Sequence, residues 1–198
     1  MHVQSQIFPS LPEASHKHSQ QGFSLIEVSI VSAIILLLAI IAIPAIHNYV
    51  VENRVPKVGE TLARFIVQTQ VNSAGAGITP YSNINTQSLG NGLGEAGIMA
   101  VSGSGASTVV SHGLGGDGDV VVASASGGKQ FTITLSKVSH AACPGISSVL
   151  QRVVQGITVT SASGPSATLK SASQAYTPML AETSCGKGNV NTFVFTVG

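Results

Sequence analysis

Gln21-Gly22-Phe23-Ser24-Leu25-Ile26-Glu27-Val28 is the junction at which this chain changes character. Upstream, residues 1–22 are polar, broken by Pro9 and Pro12, and hold no apolar run. Downstream, from Val28 to Ile46, only Ser29 and Ser32 are plainly polar, and no charge occurs between Glu27 and Glu52. At about 1.5 Å per residue that run makes a helix roughly 29 Å long, about one bilayer core. Pro44 lies near its far end. Proline removes one helical hydrogen bond and usually kinks a helix, a defect that membrane helices tolerate.

The order of the segments is wrong for an ordinary secretory signal, which runs basic region, apolar region, then a small-residue cleavage site. Gly22 precedes the apolar run, so a cut after it leaves that run on the mature chain. Glu27 also fits a plain anchor poorly. An ionised side chain at depth costs about 2.5–3.5 kcal/mol on insertion scales and normally has a partner. A new α-amino group at Phe23, formed by cleavage, is a natural partner in a neighbouring subunit. The plain alternative is a single-span anchor in which Gly22 and Glu27 are incidental.

Composition narrows the remaining choices. The chain has 198 residues, enough for one domain or at most two. Charged residues are 9% of it, against roughly 25% in average soluble proteins. Low charge with high apolar content argues against a wholly disordered chain. A net charge of +1 provides no basic surface for a phosphate backbone, so no nucleic-acid partner is expected. The two cysteines form no CxxC, so neither a zinc ribbon nor a thioredoxin-type site can be built.

Beyond the apolar run the helical period persists. Val51, Val55, Val58, Leu62 and Phe65 follow a 4-3-4-3 spacing, widened by Ile66, while Glu52, Arg54, Lys57, Glu60 and Arg64 put five charges within the same 13 residues. The spacing predicts one helix over about 24–73, apolar all round in its first half and one-sided in its second. Pro56 and Gly59 should bend or soften it. Gly75, Gly77 and Pro80 should end it. Residues 72–128 hold most of the glycines and read as loop-rich, with short apolar pieces at Ile98–Val101, Thr108–Val110 and Val120–Ala123, some of them strands. Phe131, Ile133 and Leu135 then alternate with threonines, as do Ile157 and Val159, and Phe193, Phe195 and Val197 alternate with Val194 and Thr196; each is a half-buried strand. Ile146, Val149, Leu150 and Val153 have helical spacing. The downstream region therefore reads as an α+β head with an antiparallel sheet.

The junction closely resembles the class III signal of type IV pilins and related pseudopilins: a Gly, an apolar residue, a Glu at the fifth mature position, then an apolar helix. The resemblance extends through the helix to near residue 75. It implies that a prepilin peptidase cuts between Gly22 and Phe23 and N-methylates Phe23, that Glu27 is the assembly carboxylate, and that Pro44 occupies a position where many pilins also have Pro. Gln21 stands where the family usually has Lys or Arg.

Cys143 and Cys185 are the two cysteines. A chain exported across a membrane reaches a compartment where disulfides persist, so a disulfide is expected, with two free buried thiols as the alternative. On the chain-entropy model such a bond contributes up to about 4 kcal/mol. The arrangement also resembles type IV pilins, in which a C-terminal disulfide loop follows a sheet strand and holds the last strand. Ser139-His140-Ala141-Ala142-Cys143 leading into a helix, the 22-residue leader and the long disulfide loop resemble the type IVb subclass, Phe23 resembles type IVa, and the balance favours type IVb.

Other motifs carry less. Gly92-Leu93-Gly94-Glu95-Ala96-Gly97 matches GxGxxG but has no clear strand before it and no apolar helix after it. Gly115-Gly116-Asp117-Gly118-Asp119 has too few carboxylates and the wrong spacing for a calcium loop and reads better as a turn. His112 and His140 are isolated from other ligand types, and no GxSxG is present. An enzyme is the weakest reading.

The expected organisation is therefore a leader at 1–22, a hydrophobic transmembrane and assembly helix at 23–50, its amphipathic continuation at 51–75, and an α+β head at 76–198. The expected function is a prepilin that polymerises into a type IV pilus, held first in the bacterial inner membrane and then extracellular in the fibre. A type II secretion pseudopilin and a low-copy minor pilin or membrane-anchored adhesin are the alternatives. The resemblance implies as partners the peptidase, an assembly platform with its ATPase, and copies of the chain itself; no cofactor or metal is expected.

Overall fold

The computed structural model describes residues 22–93, 97–162 and 164–198. The expected leader up to Gln21, and the central Gly94–Ala96 of the GxGxxG stretch, lie outside the described residues.

Helix α1 spans Leu25–Ser73 without interruption. It passes through both Pro44 and Pro56, each of which leaves one carbonyl four residues upstream without its helical donor. By compactness the chain divides at Ala42/Ile43, so the first part of α1 belongs to one unit and the rest of α1 to the head.

In the head, α1 turns one face inward. Val51, Val55, Val58, Leu62 and Ile66 are buried, a stripe at 4-3-4-4 spacing. Phe65, expected in that stripe, is only partly buried and yields the deepest place to Ile66. It still meets the sheet, edge-on to Phe131 with ring centroids 6.4 Å apart.

After α1 come α2 (Thr86–Leu93), β1 (Ala100–Ser102), β2 (Val109–Ser111), β3 (Asp119–Ala125), β4 (Gln130–Ser139), α3 (Cys143–Leu150), β5 (Gly156–Ser161), β6 (Ala167–Lys170), α4 (Pro178–Ser184) and β7 (Asn189–Val197). The seven strands form one antiparallel sheet in the order β1-β2-β3-β4-β7-β5-β6. One face of its central strands is apolar and buried through Phe131, Ile133, Leu135, Ile157, Val159, Phe193, Phe195 and Val197. Threonines alternate with them on the other face, as a half-solvated antiparallel sheet requires.

The chain closes the sheet with its last strand. β7 pairs with β4 on one side and β5 on the other, from Phe131↔Val197 to Gly156↔Thr196. Without β7 the two halves of the sheet share no edge. The sequence pattern places β4, α3, β5 and β7, and its short apolar pieces at Ile98–Val101, Thr108–Val110 and Val120–Ala123 overlap β1, β2 and β3; α2, β6 and α4 have no counterpart in it.

Candidate assembly site

The segment most unlike an ordinary protein surface is the start of α1. Gly22, Phe23 and Ser24 precede the helix, and Phe23 is 81% exposed. The Ser24 carbonyl accepts the Val28 N–H at 3.2 Å, closing the first turn. Glu27 lies in that turn.

From Val28 to Ile43 the apolar side chains are exposed on every side of the helix, including Ile34, Leu36, Leu38 and Ile40. Its two serines are internally satisfied: Ser29 Oγ donates to the Ile26 carbonyl at 2.8 Å, and Ser32 Oγ to the Val28 carbonyl at 2.7 Å. Such back-bonding leaves no hydroxyl seeking water within the stretch. Among the described residues, α1 is the helix long and apolar enough to cross a membrane. Pro44 lies in this continuous helix.

The cysteines are brought together as a disulfide, Cys143–Cys185, with Cα atoms 6.5 Å apart. Cys143 begins α3 and Cys185 follows α4, so the bond ties the exit of β4 to the entry of β7. Sequence reasoning missed the side chains that support this loop. Ser147 Oγ, on α3, meets the Cys143 carbonyl at 2.9 Å and Tyr176 Oη at 3.1 Å. Buried Asn191, on β7, donates from its amide to the carbonyls of Val138 (3.1 Å) and Gly186 (2.9 Å) and accepts from the Gly186 N–H (2.7 Å). It thereby fills the irregularity in β4 beside Val138 and pins the chain just past Cys185. A buried Asn with three partners has no sequence signature of its own. Lys170 reaches the carbonyls of Gln151 and Val154, a cation at the carboxyl end of α3.

The remaining motifs resolve into structure. Gly115–Asp119 is a turn with Asp117 left-handed at φ 53°, and Ser111 Oγ donates to the Gly118 carbonyl at 3.0 Å. Among the described residues, no group of three or more His, Cys, Asp or Glu could hold a metal ion. His112 is a core residue. Its Nδ1 accepts the Leu114 N–H at 2.9 Å, which assigns the proton to Nε2, within 2.8 Å of the Ser136 carbonyl. Burial holds its pKa below the ordinary imidazole value, against the opposing pull of the Ser136 carbonyl and Asp119. His140 lies at the start of the short helical turn before α3.

Comparison with known families agrees with this arrangement at both ends. The family described as prokaryotic N-terminal methylation motif matches residues 17–43, the stretch containing Gly22, Phe23, Glu27 and the apolar run. The family described as PilS N terminal matches residues 77–198, the head with its sheet and disulfide. No protein of curated function matches the chain. With a methylation motif at the start of an exposed apolar helix and a pilin family covering most of the head, the chain belongs to the type IV pilin family.

Proposed function

We propose that this chain is a prepilin, the structural subunit of a type IV pilus. The observation that carries the reading is the charge-free stretch of α1, apolar and exposed on every side, directly behind Gly22-Phe23 and Glu27.

A prepilin peptidase cuts between Gly22 and Phe23 and methylates the new amine. The apolar stretch holds the subunit in the bacterial inner membrane. Extraction into a fibre by an assembly platform and its ATPase replaces lipid contacts with helix–helix contacts. Exposing those side chains to water instead costs tens of kcal/mol at roughly 25 cal/mol per Å², so the fibre is favoured over free subunits. Glu27 pairs with the Phe23 amine of a neighbour and sets the axial register, because an unpaired charge there is expensive. Pro44, which leaves the Ile40 carbonyl without a helical donor, is the point at which the stretch can kink.

The test is the intact mass and N-terminal sequence of this protein in fibres sheared from cells. A mature start at Phe23 with one added methyl group supports the reading. A full-length chain, or none in the sheared fraction, moves the assignment to a pseudopilin or a membrane-anchored module.

A further inference from the structure

A cavity of about 330 Å³ in the head is lined by Asn48, Ser139, His140, Lys187 and Asn189 among others, with no carboxylate among the described residues that line it. Its walls are tied together: the His140 N–H donates to the Gly188 carbonyl at 2.9 Å, so the turn before α3 and the segment after Cys185 are held in register. Ser139 is 4% exposed, and its hydroxyl makes no capping bond to the turn it precedes. His140 Nδ1 is buried and has no hydrogen-bond partner among the described residues. The cavity therefore combines one cation, two amides and a hydroxyl, with no anion among the described residues that line it.

Position adds the second argument. Asn48 comes two residues after Ile46, where the apolar run ends. At about 1.5 Å per helical residue it lies within one turn of the end of that run, at the depth of lipid phosphates whenever the run spans a bilayer. We infer that this cavity binds a phosphate group, with Lys187 as the charge and Asn48, Ser139 and Asn189 as hydrogen-bond partners. Charge-assisted bonds to phosphate are the strong ones in such a set. In the membrane-stored subunit the phosphate is that of a phospholipid headgroup in the outer leaflet. Binding it there adds a polar hold on the stored subunit, and extraction into a fibre must release it. The lipid source rests on the membrane stage of the proposed function; the phosphate chemistry rests on the cavity.

The experiment uses the full chain from membranes in a mild detergent, titrated with short-chain phosphatidylglycerol, with inorganic phosphate and with short-chain diacylglycerol, bound species being read by native mass spectrometry. One phosphatidylglycerol per chain is expected, diacylglycerol should not bind, and Lys187→Gln should weaken binding roughly tenfold while Lys187→Arg retains it. Lys187 is exposed, so neither variant threatens the fold. Binding of inorganic phosphate with the same Lys187 dependence supports the site and assigns its source to free phosphate. No binding of either phosphate probe, or binding that Lys187→Gln leaves unchanged, overturns the inference. Partition of the chain between membrane pellet and soluble fraction is scored in the same preparation. A soluble chain overturns the membrane stage, whereas a pelleted chain without phosphate binding overturns the cavity assignment.

Discussion

Gly59 of α1 is the space that Val149 of α3 fills: a Cβ placed on Gly59 would lie 2.7 Å from Val149 Cγ1 and 3.0 Å from its Cβ. The relation is reciprocal one step away, where a Cβ on Gly145 of α3 would lie 2.9 Å from Val55 Cγ1 of α1. Each helix thus offers a glycine to a valine of the other. The close approach brings the inner stripe of α1 and the disulfide-bearing helix into one core.

Substitution at Gly59 follows directly. Alanine gains about 1 kcal/mol of helix propensity over glycine. Overpacking a filled core costs about 1–3 kcal/mol. Gly59→Ala is therefore expected to lose about 1 kcal/mol net, and the bulkier Gly59→Val about 2–3 kcal/mol. Chemical denaturation of the detergent-solubilised chain measures both. Adding Val149→Ala to Gly59→Ala should recover most of the loss; an unchanged deficit in the double variant refutes the contact as the cause.

Much of the fold is legible because its signals are local. The stripe from Val51 to Ile66, the threonine alternation in β4, β5 and β7, and the charge-free run each lie within one segment. What is not legible depends on distant partners. Gly59 reads in isolation as a weak point in a helix, and its value appears only with Val149 beside it. Helix α2 carries Gly90 and Gly92 and buries only Leu89 and Leu93, too little for a period to show. Strand β6 has four residues, and α4 opens on a proline. The candidate assembly segment is local as well: Gly22, Phe23, Glu27 and the run behind them are adjacent in sequence, and it is their resemblance to the class III signal that singles them out.

Asn191 joins the β4 irregularity to the chain after Cys185, and its loss should loosen both. Asn191→Leu conserves volume but strands the Gly186 N–H and the Val138 carbonyl. Leaving buried polar groups unpaired costs about 1–3 kcal/mol each, so a loss of about 3 kcal/mol is expected. Denaturation checks the magnitude. Faster reduction of Cys143–Cys185 by a thiol reductant in the variant checks the location. A variant as stable and as resistant as the parent chain refutes the role.

His112 gives the head an acid sensitivity with a definite sign. Its folded pKa is depressed by burial below the ordinary value of 6.5, so the unfolded chain takes up the proton first. The stabilisation is full above about pH 6.5 and is lost as pH falls toward the folded pKa. Protonation also turns Nδ1 from an acceptor into a donor facing the Leu114 N–H. The melting temperature of the parent chain should hold above that pH and fall below it. His112→Gln, which cannot titrate, should lower stability at neutral pH and narrow its deficit in acid. A deficit constant from pH 7.5 to pH 5 overturns the assignment.

Glu27 offers the sharpest test of the assembly reading, because it lies in the first turn of α1, in the compact unit that ends at Ala42 and outside the unit that holds the head. Glu27→Ala leaves the folding of the head untouched and removes no part of the apolar run, so membrane insertion and cleavage after Gly22 should persist. What changes is the fibre. The Phe23 amine of each incoming subunit would enter an apolar core without its carboxylate, and breaking a buried pair costs about 3–5 kcal/mol. At 1.4 kcal/mol per tenfold change, incorporation should fall by about a hundredfold or more. Glu27→Gln keeps a hydrogen-bonding group but not the charge and should fall nearly as far. The measurement is immunoblotting of sheared fibres beside the membrane fraction. Processed subunit accumulating in the membrane, with little in the fibres, is the expected result; normal piliation by either variant removes Glu27 from the register mechanism.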